Sequence, residues 1–187
     1  MHISEGILSG SVLISGGALA VAGTAIGLKK LDHERIARVG ILSASFFVAS
    51  LIHVPIGPSN VHLVMNGIVG LLLGWAAFPA ILVALLLQAV FFQFGGITTF
   101  GINTIIMAAP AVICYYLFRP MLWKKPVISV VGAFGCGFCS VLLGAVFAAL
   151  ALMFTEKNFF EVSAILVTAH RIGYKPGDIV KFATEIE

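Results

Sequence analysis

Apolar residues dominate the chain in long runs that are separated by short polar turns. The runs cover residues 7–28, 36–57, 61–77, 79–94, 102–122, 127–154 and 159–169. A helix that crosses the hydrocarbon core of a bilayer needs about 20 residues, with a range of about 17–25. The pattern therefore predicts a bundle of membrane-spanning helices.

Only a short turn around Trp75, Phe78 and Pro79 separates the third and fourth runs. We interpret these runs as a tight helical hairpin, because a single helix of their combined length would far exceed a bilayer. The last run spans only if it continues into residues 171–174 or is surrounded by protein. The pattern predicts seven crossings.

Composition excludes an ordinary soluble domain. The chain is 60% hydrophobic and 10% charged, whereas soluble domains are about 45–50% apolar and about 25% charged. The net charge of +3 needs no nucleic-acid partner, because the basic residues lie between the apolar runs. We expect a single integral-membrane domain, 1–187, that ends in a polar tail, 171–187.

The basic residues predict the orientation. They concentrate in loop 29–38, loop 119–126 and the tail, whereas Lys157 alone falls on the other side. The side with more Lys and Arg is the cytoplasmic one. We therefore expect the N-terminus outside and the C-terminus in the cytoplasm.

The first two residues offer a group of nitrogen ligands. No Lys or Arg precedes the first apolar run, so we expect the start of the chain to be retained rather than cleaved as a signal peptide. The Met1 amine, the His2 amide and the His2 imidazole could then bind one metal ion in a plane. Nickel and copper favour such nitrogen sites, and magnesium and calcium favour oxygen.

A fourth nitrogen is required to complete a planar site. His53 and His62 flank the stretch HVPIGPSNVH, whose prolines and glycine break the helix on the outer side. We interpret His62 as the fourth ligand and as the start of the next helix, with Ser59 or Asn60 as its cap. His53 is interpreted as an outer-shell partner, because metal-bound imidazoles need their second nitrogen oriented.

A second polar loop, Gln93–Asn103, is expected on the same outer side. Thr98, Thr99 and Asn103 can donate or accept hydrogen bonds there, and with Ser59 and Asn60 they form the expected outer shell of the site. A flexible outer loop is the alternative interpretation. Glu5 could attract cations or simply be solvated.

Other features point away from enzymatic chemistry. Cys136 and Cys139 form a CxxC string, which we interpret as small residues at a helix contact, because hydrocarbon surroundings oppose a thiolate. The sequence lacks a P-loop, an HExxH string and a nucleophile motif. The helix interiors also lack an acidic pair, so uphill transport would need an external energy source.

Four stretches resemble one known family. They are MHISEGILSG, SLIHVPIGPSNVHLVMNG, FQFGGITTFGIN and AILVTAH. They look like the membrane substrate-binding (S) component of nickel/cobalt energy-coupling-factor (ECF) transporters, the NikM/CbiM family, and more like its nickel branch than its cobalt branch. The resemblance covers about residues 1–170.

The resemblance implies an all-α six-helix S-component bundle with one additional N-terminal helix, in the plasma membrane of a prokaryote. It implies Ni²⁺ as transported substrate, with Co²⁺ as the alternative, held by Met1, His2 and His62. It also implies four partners: a transmembrane coupling (T) component, two cytoplasmic ATPases and often a small accessory membrane subunit. The S component would topple in the membrane to release metal.

The polar tail RIGYKPGDIVKFATEIE departs from this family, whose members usually continue with an apolar helix. We interpret the last helix as truncated or replaced, a change that would affect stability and assembly with the coupling subunits but not the metal site on the other face. Two other functions are alternatives. An ATP-independent metal permease would usually carry an acidic relay, and an intramembrane metalloenzyme would need an open metal position for water.

Overall fold

The computed structural model describes residues 3–56, 59–62 and 64–155, and for His53–Ile56 and Ser59–His62 it describes the backbone alone. The described chain is helical apart from one two-stranded hairpin. The elements are α1 (Gly10–Lys29), α2 (Ile36–Ser50), β1 (His53–Ile56), β2 (Ser59–His62), α3 (Asn66–Leu73), α4 (Ala77–Phe92), α5 (Phe100–Phe118) and α6 (Pro126–Thr155). Three short 3-10 turns, His33–Arg35, Gly74–Ala76 and Arg119–Met121, lie before α2, α4 and α6.

Among the described residues, four helical stretches are long and apolar enough to cross a membrane. They are Gly10–Lys29, Asn66–Phe92, Phe100–Met121 and Pro126–Thr155. Most of the apolar surface of α1 and α6 lies on the outside of the bundle, including Ile14, Val21, Phe134 and Phe138. An apolar exterior of this extent matches lipid as the surrounding solvent. The chain is therefore a membrane protein.

The stretch Asn66–Phe92 reverses direction at its 3-10 turn. Gly70 of α3 lies beside Ala111 of α5, and Gly74, further along the chain, lies beside Tyr115, further along α5. Because residue numbers rise in the same direction along both, α3 runs parallel to α5. Beyond the turn, α4 runs parallel to α2 and away from the end of the bundle where α1 ends. Ser43 Oγ donates to the Ala80 carbonyl at 2.7 Å, and the contact of Gln88 with Ser50 follows further along.

The reversal depends on one backbone conformation. Gly74 follows α3 with φ 59° and ψ −125°, a backbone conformation that residues with a Cβ rarely adopt. The Tyr115 ring lies 3.0 Å from where a Cβ on Gly74 would be, so a larger residue has neither the conformation nor the space. The turn falls where the sequence predicts it, around Trp75.

Helix α5 lies at the centre of the bundle. It contacts α1, α3, α4 and α6, and its residues Ile106, Met107, Ala108 and Ala111 are all less than 4% exposed. Small residues allow the close approach of the neighbouring helices. The Sγ of buried Cys136 donates to the Gly67 carbonyl at 3.4 Å across α6 and α3, so this cysteine packs at a helix contact, as expected.

Three expectations are corrected by the fold. The segment around His62 is a β-strand rather than the start of a helix, and the next helix begins at Asn66. Ser59 and Asn60 therefore lie in β2 and cap no helix. Asn103 lies in the first turn of α5 rather than in the preceding loop. The seventh predicted segment, 159–169, and the tail lie outside the described residues.

Candidate metal site at the start of the chain

The structure describes only some of the predicted ligands. Met1 and His2 lie outside the described residues, whereas His62 and His53 belong to the two strands of the hairpin. The antiparallel register pairs His53 directly with His62 at the open end of that hairpin, and Ile56 with Ser59 at its tip. The fold thus brings the two histidine positions of HVPIGPSNVH together, although eight residues separate them in the chain.

The segment that follows His2 enters the bundle and is held there by Asn103. The Ile3 amide donates to Asn103 Oδ1 at 2.9 Å, and Asn103 Nδ2 donates to the Ile3 carbonyl at 3.1 Å. Asn103 is only 2% exposed and Ile3 8%. One side-chain amide therefore satisfies both backbone groups of Ile3 inside the protein, where unpaired polar groups are costly.

Thr99 orients the amide of Asn103. Asn103 Nδ2 donates a second hydrogen bond to Thr99 Oγ1 at 3.2 Å. The Thr99 hydroxyl, which is fully buried, in turn donates to the Gly95 carbonyl. This chain of hydrogen bonds connects the loop before α5 to the backbone of Ile3. Two of the predicted outer-shell residues, Thr99 and Asn103, thus form one network.

A second contact holds the segment at Glu5. The Thr98 amide donates to Glu5 Oε1 at 3.0 Å. Hydrogen bonding from the backbone of Thr98, and then of Ile97, lowers the pKa of the Glu5 carboxyl below its ordinary value. The carboxylate is therefore ionised at neutral pH, and the contact weakens only when the pH falls through that lowered pKa.

The loop fits closely around this carboxylate. Gly96 has φ 93°, and a Cβ there would collide with the side chain of Glu5. Glycine is thus required at position 96 both for its backbone conformation and for the space that Glu5 occupies. The loop 93–99 therefore fits closely around the first residues of the chain. We call the group Ile3, Glu5, Thr98, Thr99 and Asn103 the N-terminal clamp.

Ile3 also anchors the segment by apolar packing. It belongs to a cluster with Leu8 of its own segment, Val12 of α1, and Ile102 and Ile106 of α5. At the other end of this segment, the Ser9 amide donates to Thr155 Oγ1 at the end of α6 at 3.3 Å. The segment 3–9 is thus fixed by hydrogen bonds at Ile3, Glu5 and Ser9, and by the burial of Ile3 and Leu8.

Sequence reasoning missed a buried polar pair near the hairpin. Gln88 Nε2 donates to Ser50 Oγ at 2.6 Å, and Gln88 is completely buried. Its Oε1 has no hydrogen-bond partner among the described residues. Gln88 is the only polar residue of α4, and a lone polar residue in a membrane helix is a signal of function.

Within the described residues, no group of three or more His, Cys, Asp and Glu side chains could hold a metal ion. His33, the one histidine whose side chain is described, lies exposed in the turn before α2, near the end of α1. Of the described residues, those of the N-terminal clamp are candidates for positioning a metal site rather than for ligating the metal.

Comparison with known proteins adds independent findings. The sequence profile of the CbiM family, described as the cobalt uptake substrate-specific transmembrane region, matches residues 2–173. A Haemophilus influenzae protein named for metal transport is 44% identical over 173 residues, which cover 91% of this chain and 84% of that protein. Both similarities extend over nearly the entire chain.

Two further relatives carry different metals in their names. The fused nickel transport protein NikMN of Rhodobacter capsulatus is 41% identical over 114 residues, 58% of this chain and 33% of that protein. The cobalt transport protein CbiM of Sorangium cellulosum is 31% identical over 129 residues, 64% of this chain and 57% of that protein. The chain matches only about a third of the fused nickel protein and somewhat over half of the cobalt protein.

The fold resembles that of a solved metal transporter. A crystal structure of a transition metal transporter superposes with a TM-score of 0.65 at 30% identity, covering 79% of this chain and 69% of that chain. The described helices therefore follow an arrangement already seen in a metal transporter.

Proposed function

The chain belongs to the CbiM family of substrate-specific transmembrane regions, and we propose that it captures Ni²⁺ at the outer face of the membrane through the start of its own backbone. As a member of this family it is the substrate-specific component of a nickel/cobalt transporter, a membrane protein rather than an enzyme.

One observation carries the proposal: the N-terminal clamp fixes Ile3 and Glu5. A chain start is normally among the least ordered parts of a protein. Here two hydrogen bonds between Ile3 and the buried side-chain amide of Asn103 fix Ile3, and a third fixes Glu5. Residues 1 and 2 are tethered to this fixed point, so the entropic cost of ordering them around an ion is small.

The proposed ligands are four nitrogens: the Met1 amine, the His2 amide, the His2 imidazole and the imidazole of His62. Nitrogen ligands in a plane select late transition metals such as nickel, and reject magnesium and calcium, which prefer oxygen. His53, the register partner of His62, would orient it through a hydrogen bond, as outer-shell groups do in metal sites. Ser59, Asn60 and Thr98 are proposed to complete the outer shell around the ion.

We further propose that capture is one step of ATP-driven uptake. The chain would work with a transmembrane coupling component and two cytoplasmic ATPases, with a small accessory membrane subunit as an optional partner. Its N-terminus would face outward and its C-terminus the cytoplasm. This arrangement agrees with the basic residues of loops 29–38 and 119–126.

The test is a metal titration of the purified full chain with Ni²⁺, Co²⁺ and Mg²⁺. We expect Ni²⁺ to bind most tightly, with the absorption of a planar, nitrogen-ligated ion, and Mg²⁺ not to compete. Tighter binding of Co²⁺ would make cobalt the cargo. An octahedral, oxygen-rich spectrum would refute the backbone site itself.

The clamp can be tested through Asn103→Ala. This variant leaves two backbone groups of Ile3 unpaired in a buried place, at a cost of about 1–3 kcal/mol each. We expect a lower unfolding temperature and a nickel affinity reduced by about 10–100-fold, as for the loss of an outer-shell partner. Affinity is measured well below the unfolding temperature of the variant.

Thr104→Val is the matched control for this variant. Thr104 is equally buried on α5, but its hydroxyl donates only to the Phe100 carbonyl of the same helix. We expect the control to retain nickel affinity. If both variants lose affinity in proportion to their loss of stability, Asn103 has no positioning role.

A further inference from the structure

Three cationic side chains surround a small recess at the end of the bundle opposite the N-terminal clamp. Lys30, Arg35 and Arg38 line it together with Leu72, Leu73 and Ala76. Its volume is about 30 Å³, and one water molecule needs about 10–15 Å³ on the same measure. The recess therefore has room for two oxygen atoms rather than for a complete small molecule.

No described carboxylate neutralises this group of cations. Asp32 and Glu34 belong to the same loop, but neither lines the recess. None of the three cations forms an ion pair with a carboxylate in the described parts of the chain. Three positive charges around one concavity, with no described carboxylate paired to them, favour an anion strongly.

Trp75 indicates the depth of the recess in the membrane. The Lys30 ammonium lies 5.1 Å from the centre of its indole ring, and Trp75 Nε1 donates to the Tyr116 hydroxyl at 2.9 Å. Trp and Tyr concentrate at the boundary between hydrocarbon and headgroups. The recess thus lies at headgroup depth, next to the apolar side chains of Leu72 and Leu73.

We propose that this recess binds the phosphate group of an anionic phospholipid. Guanidinium groups pair with two phosphate oxygens at once, which matches the size of the recess and the presence of two arginines. Basic recesses between helices on the cytoplasmic side are suited to anionic headgroups. Leu72, which is 58% exposed, lies where the glycerol and acyl part of the lipid would continue. The proposal does not depend on which metal the chain carries.

The test compares the full chain with Arg35→Gln/Arg38→Gln and with the control Lys124→Gln/Lys125→Gln. The control removes two positive charges from the other basic loop, and neither lysine lines the recess. Native mass spectrometry measures retained phosphatidylglycerol against phosphatidylcholine, and thermal unfolding is followed with each lipid and with inorganic phosphate. Unfolding in phosphatidylcholine shows whether each variant is folded.

We expect the wild type and the control to retain phosphatidylglycerol preferentially, and the arginine variant to retain it at least about tenfold less. Equal retention by all three proteins would overturn the proposal. Equal stabilisation by inorganic phosphate would assign the recess to a soluble anion and overturn it too. Unchanged lipid retention with weakened association with the coupling subunits would assign the recess to an acidic protein surface. None of these results depends on metal binding, so failure here leaves the proposed function standing.

Discussion

One residue added in front of Met1 is expected to abolish high-affinity nickel binding. The loss should exceed the 10–100-fold that removal of an outer-shell partner costs, because the added residue displaces the amine and opens its chelate ring with the His2 amide. The measurement is a competition titration of the purified, extended chain.

The N-terminal clamp explains why the chain cannot absorb the addition by sliding. A shift of one residue would place His2 in the buried position of Ile3, among Val12, Ile102 and Ile106. It would also remove the Glu5 carboxylate from the Thr98 amide. Each of these changes opposes the shift, so the displaced amine stays displaced.

The same extended protein supplies the control. Enzymatic removal of the added residue restores the original start, and binding should return with it. Nickel affinity that is unchanged by the extension would show that the terminal amine is not a ligand. This conclusion would hold independently of the other predictions.

His62→Ala is expected to have the second large effect, again more than about 100-fold on nickel affinity, because it removes one of four ligands. His53→Ala should cost about 10–100-fold, as an orienting group does. Added imidazole should partly restore binding to His62→Ala, because a free ligand can occupy the vacated position. Metal affinity and the absorption spectrum are the measurements.

His33→Ala is the matched control, because His33 is an exposed histidine in the turn before α2. It should bind nickel as the wild type does. Because the register pairs His53 with His62, the main alternative is that His53 is the ligand and His62 the orienting group. A larger loss for His53→Ala than for His62→Ala would contradict the assignment.

Hydropathy was sufficient to predict the long helices. The runs 7–28, 102–122 and 127–154 correspond to α1, α5 and α6 with small differences at the ends. Lipid requires these segments to be continuously apolar, so their pattern is unambiguous. The reversal at Gly74 was also predicted, because the turn interrupts a stretch too long for one crossing.

The β-hairpin and the N-terminal clamp were harder to predict. The prolines and glycine of HVPIGPSNVH indicate a helix break, but strand pairing over four residues depends on tertiary context more than on propensity. Asn103 and Thr99 were identified as polar residues near the site, whereas their partner is the backbone of Ile3. A backbone group has no sequence signature, so this contact could not be derived from residue types.

The contact between Ile3 and Asn103 joins positions 100 residues apart, and this separation has a consequence for biosynthesis. Ile3 is translated before Asn103, and the four helices α1 to α4 are translated between them. Contacts between distant parts of a chain form late in folding. The hydrogen bonds that fix Ile3 therefore cannot form until α5 has been translated.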